Sequence, residues 1–318
     1  MLLRPYAKET LWGGTRLKKE FHKDFPIEQL GETWECSTHA HGSSVVVNGE
    51  HRGQALRSVL QAHPEYMGSK IPQGQELPIL VKFIDAKQDL SLQVHPDDEY
   101  ADRMEQQKGK TELWYVVDAM PGARLVHGFT HNMKPELVVD ALNKGTFLEQ
   151  LQQIEVQKGD VFYTPAGTIH GIGAGCLIAE IQENSDVTYR VYDYDRIDKQ
   201  GQKRELHLSK ALEVLDYKVG RSLKQKPRLI RYYPGCSREI LCRCQYFDVE
   251  KLTVTKGISF TVMESSFQVV LCLEGHGGLE SANYNKPLRF KKGDCIFLPA
   301  GLGRCFMLGE CECLKIRV

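Results

Sequence analysis

The sequence predicts a mainly β protein built of two antiparallel barrel or jelly-roll units with a few short helices. Three observations carry that expectation. Short apolar runs are broken throughout by glycine and proline, 28 and 13 of them in 318 residues, which is the punctuation of many short strands. Apolar patterns with helical spacing are few. A motif occurs twice, as Lys158-Gly159-Asp160-Val161-Phe162-Tyr163-Thr164-Pro165-Ala166-Gly167 and as Lys292-Gly293-Asp294-Cys295-Ile296-Phe297-Leu298-Pro299-Ala300-Gly301. In each copy K-G-D is a turn that starts a strand and P-A-G ends it. The repeat divides the chain into units at 1–217 and 218–318.

In chain order, strands are expected at 77–84, 90–95, 112–118, 160–164, 177–182 and 186–194, then at 239–244, 259–263, 268–274 and 295–299. A helix is expected within 134–144, where Pro135 stands in the first turn and Gly145 just past the end, the favoured places for both residues. Two more fall at 54–63 and 208–215. The stretch 216–228 is basic, turn-rich and poor in large apolar residues, and reads as the linker between the units.

Composition excludes several classes of partner. Forty-one basic residues balance forty-one acidic ones, and the pI is near 7.1. Nothing in that balance calls for nucleic acid or an acidic membrane surface. An anionic ligand must then be met by a few placed cations. No apolar run approaches the roughly 20 residues that cross a bilayer, and MLLRPYAKETLWGG lacks the features of a secretory signal, so a cytoplasmic location is expected. Eight of the ten cysteines lie between Cys236 and Cys313. Without C-x₂-C spacing they read as reduced thiols facing the second barrel. No dinucleotide-binding G-x-G-x-x-G follows a strand, and no redox cofactor is expected.

Candidate chemistry collects in the first unit. In Ser91-Leu92-Gln93-Val94-His95 a strand puts Ser91, Gln93 and His95 on one face and Leu92 and Val94 on the other. Lys110 and Glu112 share a face in the same way. His170 follows the first P-A-G turn; at the same place in the second copy stands Arg304. Two imidazoles and a carboxylate with an open position are the donor set of a catalytic zinc site. His95, Glu112 and His170 supply it from three separate strands, and Gln93 could add an oxygen. Zinc suits mixed nitrogen and oxygen ligation, with manganese or iron as alternatives. Against this stands the plain reading that isolated His and Glu residues are structural or solvated.

Two rival patterns have blander readings. His39-Ala40-His41 is an H-x-H before a Gly-Ser-Ser turn and reads as a surface pair. Glu99, four residues after His95, reads as a solvated acid in a D-D-E-Y turn. In the run 184–196, Asp186, Arg190 and Arg196 share parity and would face one way, as a functional cluster or as a salt-bridged surface strand.

These segments together resemble the type I phosphomannose isomerases, in their short bacterial form, nearly from end to end. The resemblance is carried by LWGG at 11–14, GETWECS at 31–37, LPILVKFIDAKQDLSLQVHPDD at 77–98, GKTELWYV at 109–116, GDVFYTPAGTIHGI at 159–172 and, most specifically, QENSDVTYRVYDYDR at 182–196. It implies two cupin barrels, the first catalytic and the second without metal ligands. It implies one zinc ion per chain bound by His95, Glu112 and His170 with Gln93 as a fourth ligand. Arg190 matches the active-site arginine, and Asp186 and Lys110 match residues assigned to proton transfer. Ser91, Lys82 and Arg196 match positions assigned to the substrate phosphate. The implied reaction interconverts mannose 6-phosphate and fructose 6-phosphate through a cis-enediol, in a monomer or weak homodimer. The competing expectations are an isomerase of another phosphorylated aldose and a sugar-binding cupin without catalysis. The longer members carry an extra helical domain that this chain is too short to hold in full.

Overall fold

A computed structural model describes residues 1–198, 200–220, 229–282 and 286–318. It is mainly β, and its ladders are antiparallel. Two sheets face each other in the first unit. One runs Val161–Thr164, Glu112–Ala119, Cys176–Glu183, Ile79–Asp85, Leu30–Cys36 and Tyr6–Gly14. The other runs Leu151–Glu155, Arg124–Phe129, His170–Ile172, Leu92–Val94 and Tyr189–Tyr192. Among the described residues these sheets stay open rather than closing into barrels.

The two-residue period of the larger sheet explains how site and core share its strands. Val81, Phe83, Leu113, Tyr115, Ala179 and Ile181 pack on Phe267, Leu271 and Phe297 of the second unit. Lys82, Trp114 and Glu180 alternate with them and face the cavity between the sheets, as successive strand residues must. Each large apolar side chain buried in that shared core contributes about 1.5–3 kcal/mol. The second unit therefore braces the back of the sheet whose front carries the polar residues. On the smaller sheet Leu92 and Val94 pack with Phe129, Tyr189 and Val191, which turns Ser91, Gln93 and His95 the other way.

The chain start crosses the division expected at residue 217. Leu2–Arg4 pairs with Cys295–Leu298 and with Val45–Val46, so it extends the sheet of the second unit. The repeat is matched in structure. Val161–Thr164 and Cys295–Leu298 are the paired strands, and the turn glycines Gly159 and Gly293 hold φ of 91° and 90°, a region open chiefly to glycine. At Gly293 a Cβ would also stand 2.6 Å from the carbonyl oxygen of Phe21.

The expected helices form at Leu56–Ala62, Pro135–Asn143 and Leu208–Val214. The D-D-E-Y stretch is a helix rather than a turn: Asp97 accepts from the Tyr100 N–H at 2.9 Å and caps Asp98–Glu105, as an N-cap aspartate does. Glu99 is exposed on it and takes no part in the site. Of the expected linker, 221–228 lies outside the described residues. No helix among the described residues is long and apolar enough to cross a membrane.

Glu183 closes the central strand, buried, with the Thr111 N–H donating to it at 2.8 Å. Burial pushes its carboxyl up from 4.5 to about 7, against the pull of that N–H. The folded state holds this proton more tightly than the unfolded chain. Its stabilisation is therefore present at low pH and is lost as pH rises from 4.5 through about 7. Glu183→Gln keeps the acceptor oxygen without the charge. Its melting temperature should exceed that of the parent protein by roughly 5 °C at pH 8 and by little at pH 4; equal melting temperatures at pH 8 would contradict the assignment.

Candidate metal centre and substrate cavity

The two sheets of the first unit bring three side chains to one point. Glu112 opens its strand, His170 opens another, and His95 follows Leu92–Val94 directly. Ladder register fixes the approach, with His170 opposite Gln93 and Glu112 opposite Gln182. All three are buried. His95 Nε2 lies 2.9 Å from Glu112 Oε1 and 3.1 Å from His170 Nε2, and His170 Nε2 is 3.9 Å from Glu112 Oε2.

Proton placement shows what this point is built to hold. His95 Nδ1 pairs with the Val187 carbonyl at 2.8 Å, and His170 Nδ1 with the Thr168 carbonyl at 2.8 Å. A carbonyl only accepts, so each Nδ1 carries the proton and each Nε2 keeps a lone pair. Those lone pairs face one another and the Glu112 carboxylate, whose Oε2 has no hydrogen-bond partner among the described residues. Burial, helped by the Lys110 charge, pushes His95 down to about 3, and burial also lowers His170. Neither ring relieves the repulsion by taking a second proton near neutral pH. Burial resists ionisation of Glu112, but Lys110 and the two imidazoles hold it well below the ordinary carboxylate range. Buried acceptors that converge in excess of the donors beside them call for a cation. The donor set fits a divalent ion, with backbone carbonyls fixing both rings from behind.

Lys110 Nζ stands at the same point, 2.8 Å from Glu112 Oε1 and 3.1 Å from His95 Nε2. The Gln93 amide lies beside His170 at 3.5 Å, and Ser91 Oγ donates to its oxygen at 3.4 Å. A cavity of about 410 Å³ opens next to them. Lys82, Ser91, Gln93, Lys110, His170, Asp186 and Arg190 all line it. Arg190 donates to the Glu205 carbonyl at 2.7 Å, while its Nε is buried without a hydrogen-bond partner among the described residues. Arg196 is not among the lining residues. Its guanidinium is held by Asp193 at 2.5 Å and by the Asp89 carbonyl. Asp193 in turn holds Arg204, at 2.8 and 2.5 Å, and Arg204 does line the cavity.

Two acids passed over in the sequence complete this wall. Glu180 sits 3.0 Å from Lys82 Nζ and accepts from Trp114 Nε1 at 2.9 Å. Glu32 accepts from Trp34 Nε1 at 2.8 Å and lies 4.0 Å from Lys82 Nζ. Burial and the Glu112 charge raise the Glu180 carboxyl against the pull of Lys82. A usable signal existed: Glu180 interrupts the apolar run LIAEI at a parity shared with Gln182 and Glu112's ladder partners. Of the His39-Ala40-His41 pair, expected at the surface, His41 is exposed but His39 is buried, and both rings contact Asp186.

Fold and site define a cupin protein with a candidate single-metal centre beside a cation-lined cavity. The family model for the cupin domain of mannose-6-phosphate isomerase matches residues 238–318, and that for the catalytic domain of type I phosphomannose isomerase matches residues 1–141. Mannose-6-phosphate isomerase ManA of Bacillus subtilis is 39% identical over 316 residues, which is 99% of this chain and 97% of that protein. A mannose-6-phosphate isomerase of Streptococcus mutans is 38% identical over 299 residues, 94% of this chain and 92% of that one. The crystal structure of the Bacillus subtilis mannose 6-phosphate isomerase superposes with a TM-score of 0.92 at 36% identity, covering 100% of this chain and 99% of that one. The chain belongs to the type I phosphomannose isomerase family.

Because the donors are preorganised, metal binding should stabilise the fold. Saturating zinc added to chelator-treated protein should raise the melting temperature by roughly 5–10 °C. His170→Ala should lose that response, and Arg304→Ala, at the same place in the second copy, should keep it. Equal responses from the two variants would contradict the assignment.

Proposed function

We propose that this chain interconverts D-mannose 6-phosphate and D-fructose 6-phosphate, with one zinc ion held by His95, Glu112, His170 and Gln93. The observation that supports this reading most is the group of facing lone pairs at the edge of a cavity lined by lysine and arginine. When bound, zinc would polarise the oxygens at C1 and C2 of the open-chain sugar. The protein's own groups carry the rest. An aldose–ketose isomerisation moves a proton between C2 and C1 through a cis-enediol, and needs a base that takes the proton and returns it.

Asp186 suits the base. It lines the cavity, and although burial opposes ionisation, the hydrogen bond from His41 and the neighbouring His39 and Lys8 hold its carboxyl below the usual range. Lys110 suits proton exchange with the sugar oxygens, since its ammonium already lies against the metal-binding group. Arg190 faces the cavity with an unused Nε–H and would stabilise negative charge on the enediol oxygens. Lys82 and Ser91 are assigned to the phosphate. Arg196 is assigned to the same end through Asp193, which orients Arg204. Binding energy from the phosphate then positions the reacting carbons. The cysteines are free thiols, which suits a reducing cytoplasm.

Zinc-loaded protein should turn over mannose 6-phosphate and fructose 6-phosphate, lose activity on chelation and regain it with zinc. Glucose 6-phosphate should react at least tenfold more slowly. Arg190→Ala should lower kcat by about 10²–10³-fold. Preference for glucose 6-phosphate would overturn the substrate assignment, and binding of mannose 6-phosphate without turnover would favour a sugar-binding protein.

A further inference from the structure

The H-x-H pair forms the tip of a pinned hairpin. Thr38–His39 pairs with Gly42–Ser43. Ser37 Oγ donates to the Gly42 carbonyl at 2.5 Å and accepts from the His39 N–H at 3.1 Å. The His39 ring is buried, edge-on to Trp34 at 5.6 Å, and the His41 ring stands 5.0 Å from it. The hairpin delivers one imidazole to each oxygen of Asp186. His41 Nδ1 lies 2.6 Å from Oδ2, and His39 Nε2 lies 3.5 Å from Oδ1.

Hydrogen-bond polarity decides what this group does. Its ligand atoms are close enough together to suggest a second metal centre. However, His39 Nδ1 receives the backbone N–H of His41 at 3.2 Å. A neutral ring that accepts at Nδ1 carries its proton on Nε2, the nitrogen aimed at Asp186. At His95 and His170 the order is reversed, with Nδ1–H spent on a carbonyl and Nε2 left with its lone pair. One pair is arranged to bind a cation, and the other to donate to a carboxylate.

We propose that the His39-Ala40-His41 hairpin is a positioning device, in which the His41 hydrogen bond to one oxygen and the His39 N–H facing the other keep the Asp186 carboxylate in one orientation at the cavity wall. This rests on the reading of Asp186 as the base. A carboxylate hydrogen-bonded at one oxygen and faced by an N–H at the other is restrained about its χ2 angle, which preserves the geometry proton transfer requires. The donors also keep it ionised. Lys8, from Tyr6–Gly14, also bears on it, Lys82, Lys110, Arg190 and Arg204 line the same cavity, and His39 in turn feels Lys82 and Glu76. His39 and His41 are positioning residues and need not touch the sugar.

The test measures kcat and KM for mannose 6-phosphate against pH with zinc-loaded protein. The variants are His41→Ala, His41→Asn, Asp186→Asn and the double variant His41→Ala/Asp186→Asn. The His41 side chain is 67% exposed, so its removal leaves the core packed. His41→Ala should lower kcat by about 10–100-fold with KM changed less than about twofold, and should move the acid limb of the kcat profile to higher pH. His41→Asn, whose amide can donate from nearly the place of Nδ1, should recover most of kcat. In the Asp186→Asn background, His41→Ala should cost nothing further. If Asp186→Asn is inactive while His41→Ala keeps both kcat and the acid limb, the hairpin proposal fails and the base assignment stands. If Asp186→Asn is fully active, the base assignment fails and the proposal with it. A second equivalent of zinc that binds the parent protein and is lost in His41→Ala would also overturn the proposal.

Discussion

Everything around the first unit's cavity depends on one electrostatic constraint. Two imidazole lone pairs and a carboxylate are forced together in a buried place, with the Lys110 ammonium against one edge of the group. Left alone, such a group would cost several kcal/mol. It is sustained because each ring is fastened from behind by a main-chain carbonyl, of Val187 for His95 and of Thr168 for His170. Those carbonyls belong to the segments that carry other candidate site residues. The stretch after Cys176–Glu183 supplies Val187 together with Asp186 and Arg190. The P-A-G turn supplies Thr168 together with His170.

The same sheet supports the site and anchors the molecule. Its odd-numbered residues between Val81 and Ile181 merge with the aromatic core of the second unit, while its even-numbered ones hold Lys82, Glu112 and Glu180. Polar residues this dense on one face would weaken a free-standing sheet. A buried cation among carboxylates holds its place only if the backbone behind it cannot shift. The second unit provides that rigidity, which gives a physical role to a copy of the motif that has Arg304 where the first has His170.

Much of this was legible in the sequence because strand alternation is a strict rule. Ser91, Gln93 and His95 fell on one face as spacing required, and the K-G-D and P-A-G turns marked matching strands in both units. Other features needed the third dimension. Tyr6–Gly14, sequence YAKETLWGG, has no clean alternation and is recognisable as a strand only through its partner Leu30–Cys36. Gly303–Arg317 interleaves charges with cysteines and was likewise passed over. The H-x-H pair looked like surface because nothing within its own segment shows that Asp186, 145 residues later, folds against it. Arg196 shares parity with Arg190, but a turn after Tyr189–Tyr192 breaks the extended run, with Tyr194 and Asp195 at φ of 56° and 55°. Parity counted across that turn no longer predicts direction.

The most direct measurement is anomalous diffraction at the zinc edge from crystals of protein purified without added metal chelators. A single strong peak is expected, at about 2.0–2.2 Å from His95 Nε2, His170 Nε2 and a Glu112 oxygen. A peak at another place, such as between His39, His41 and Asp186, or no peak in fully active protein, would contradict the central assignment.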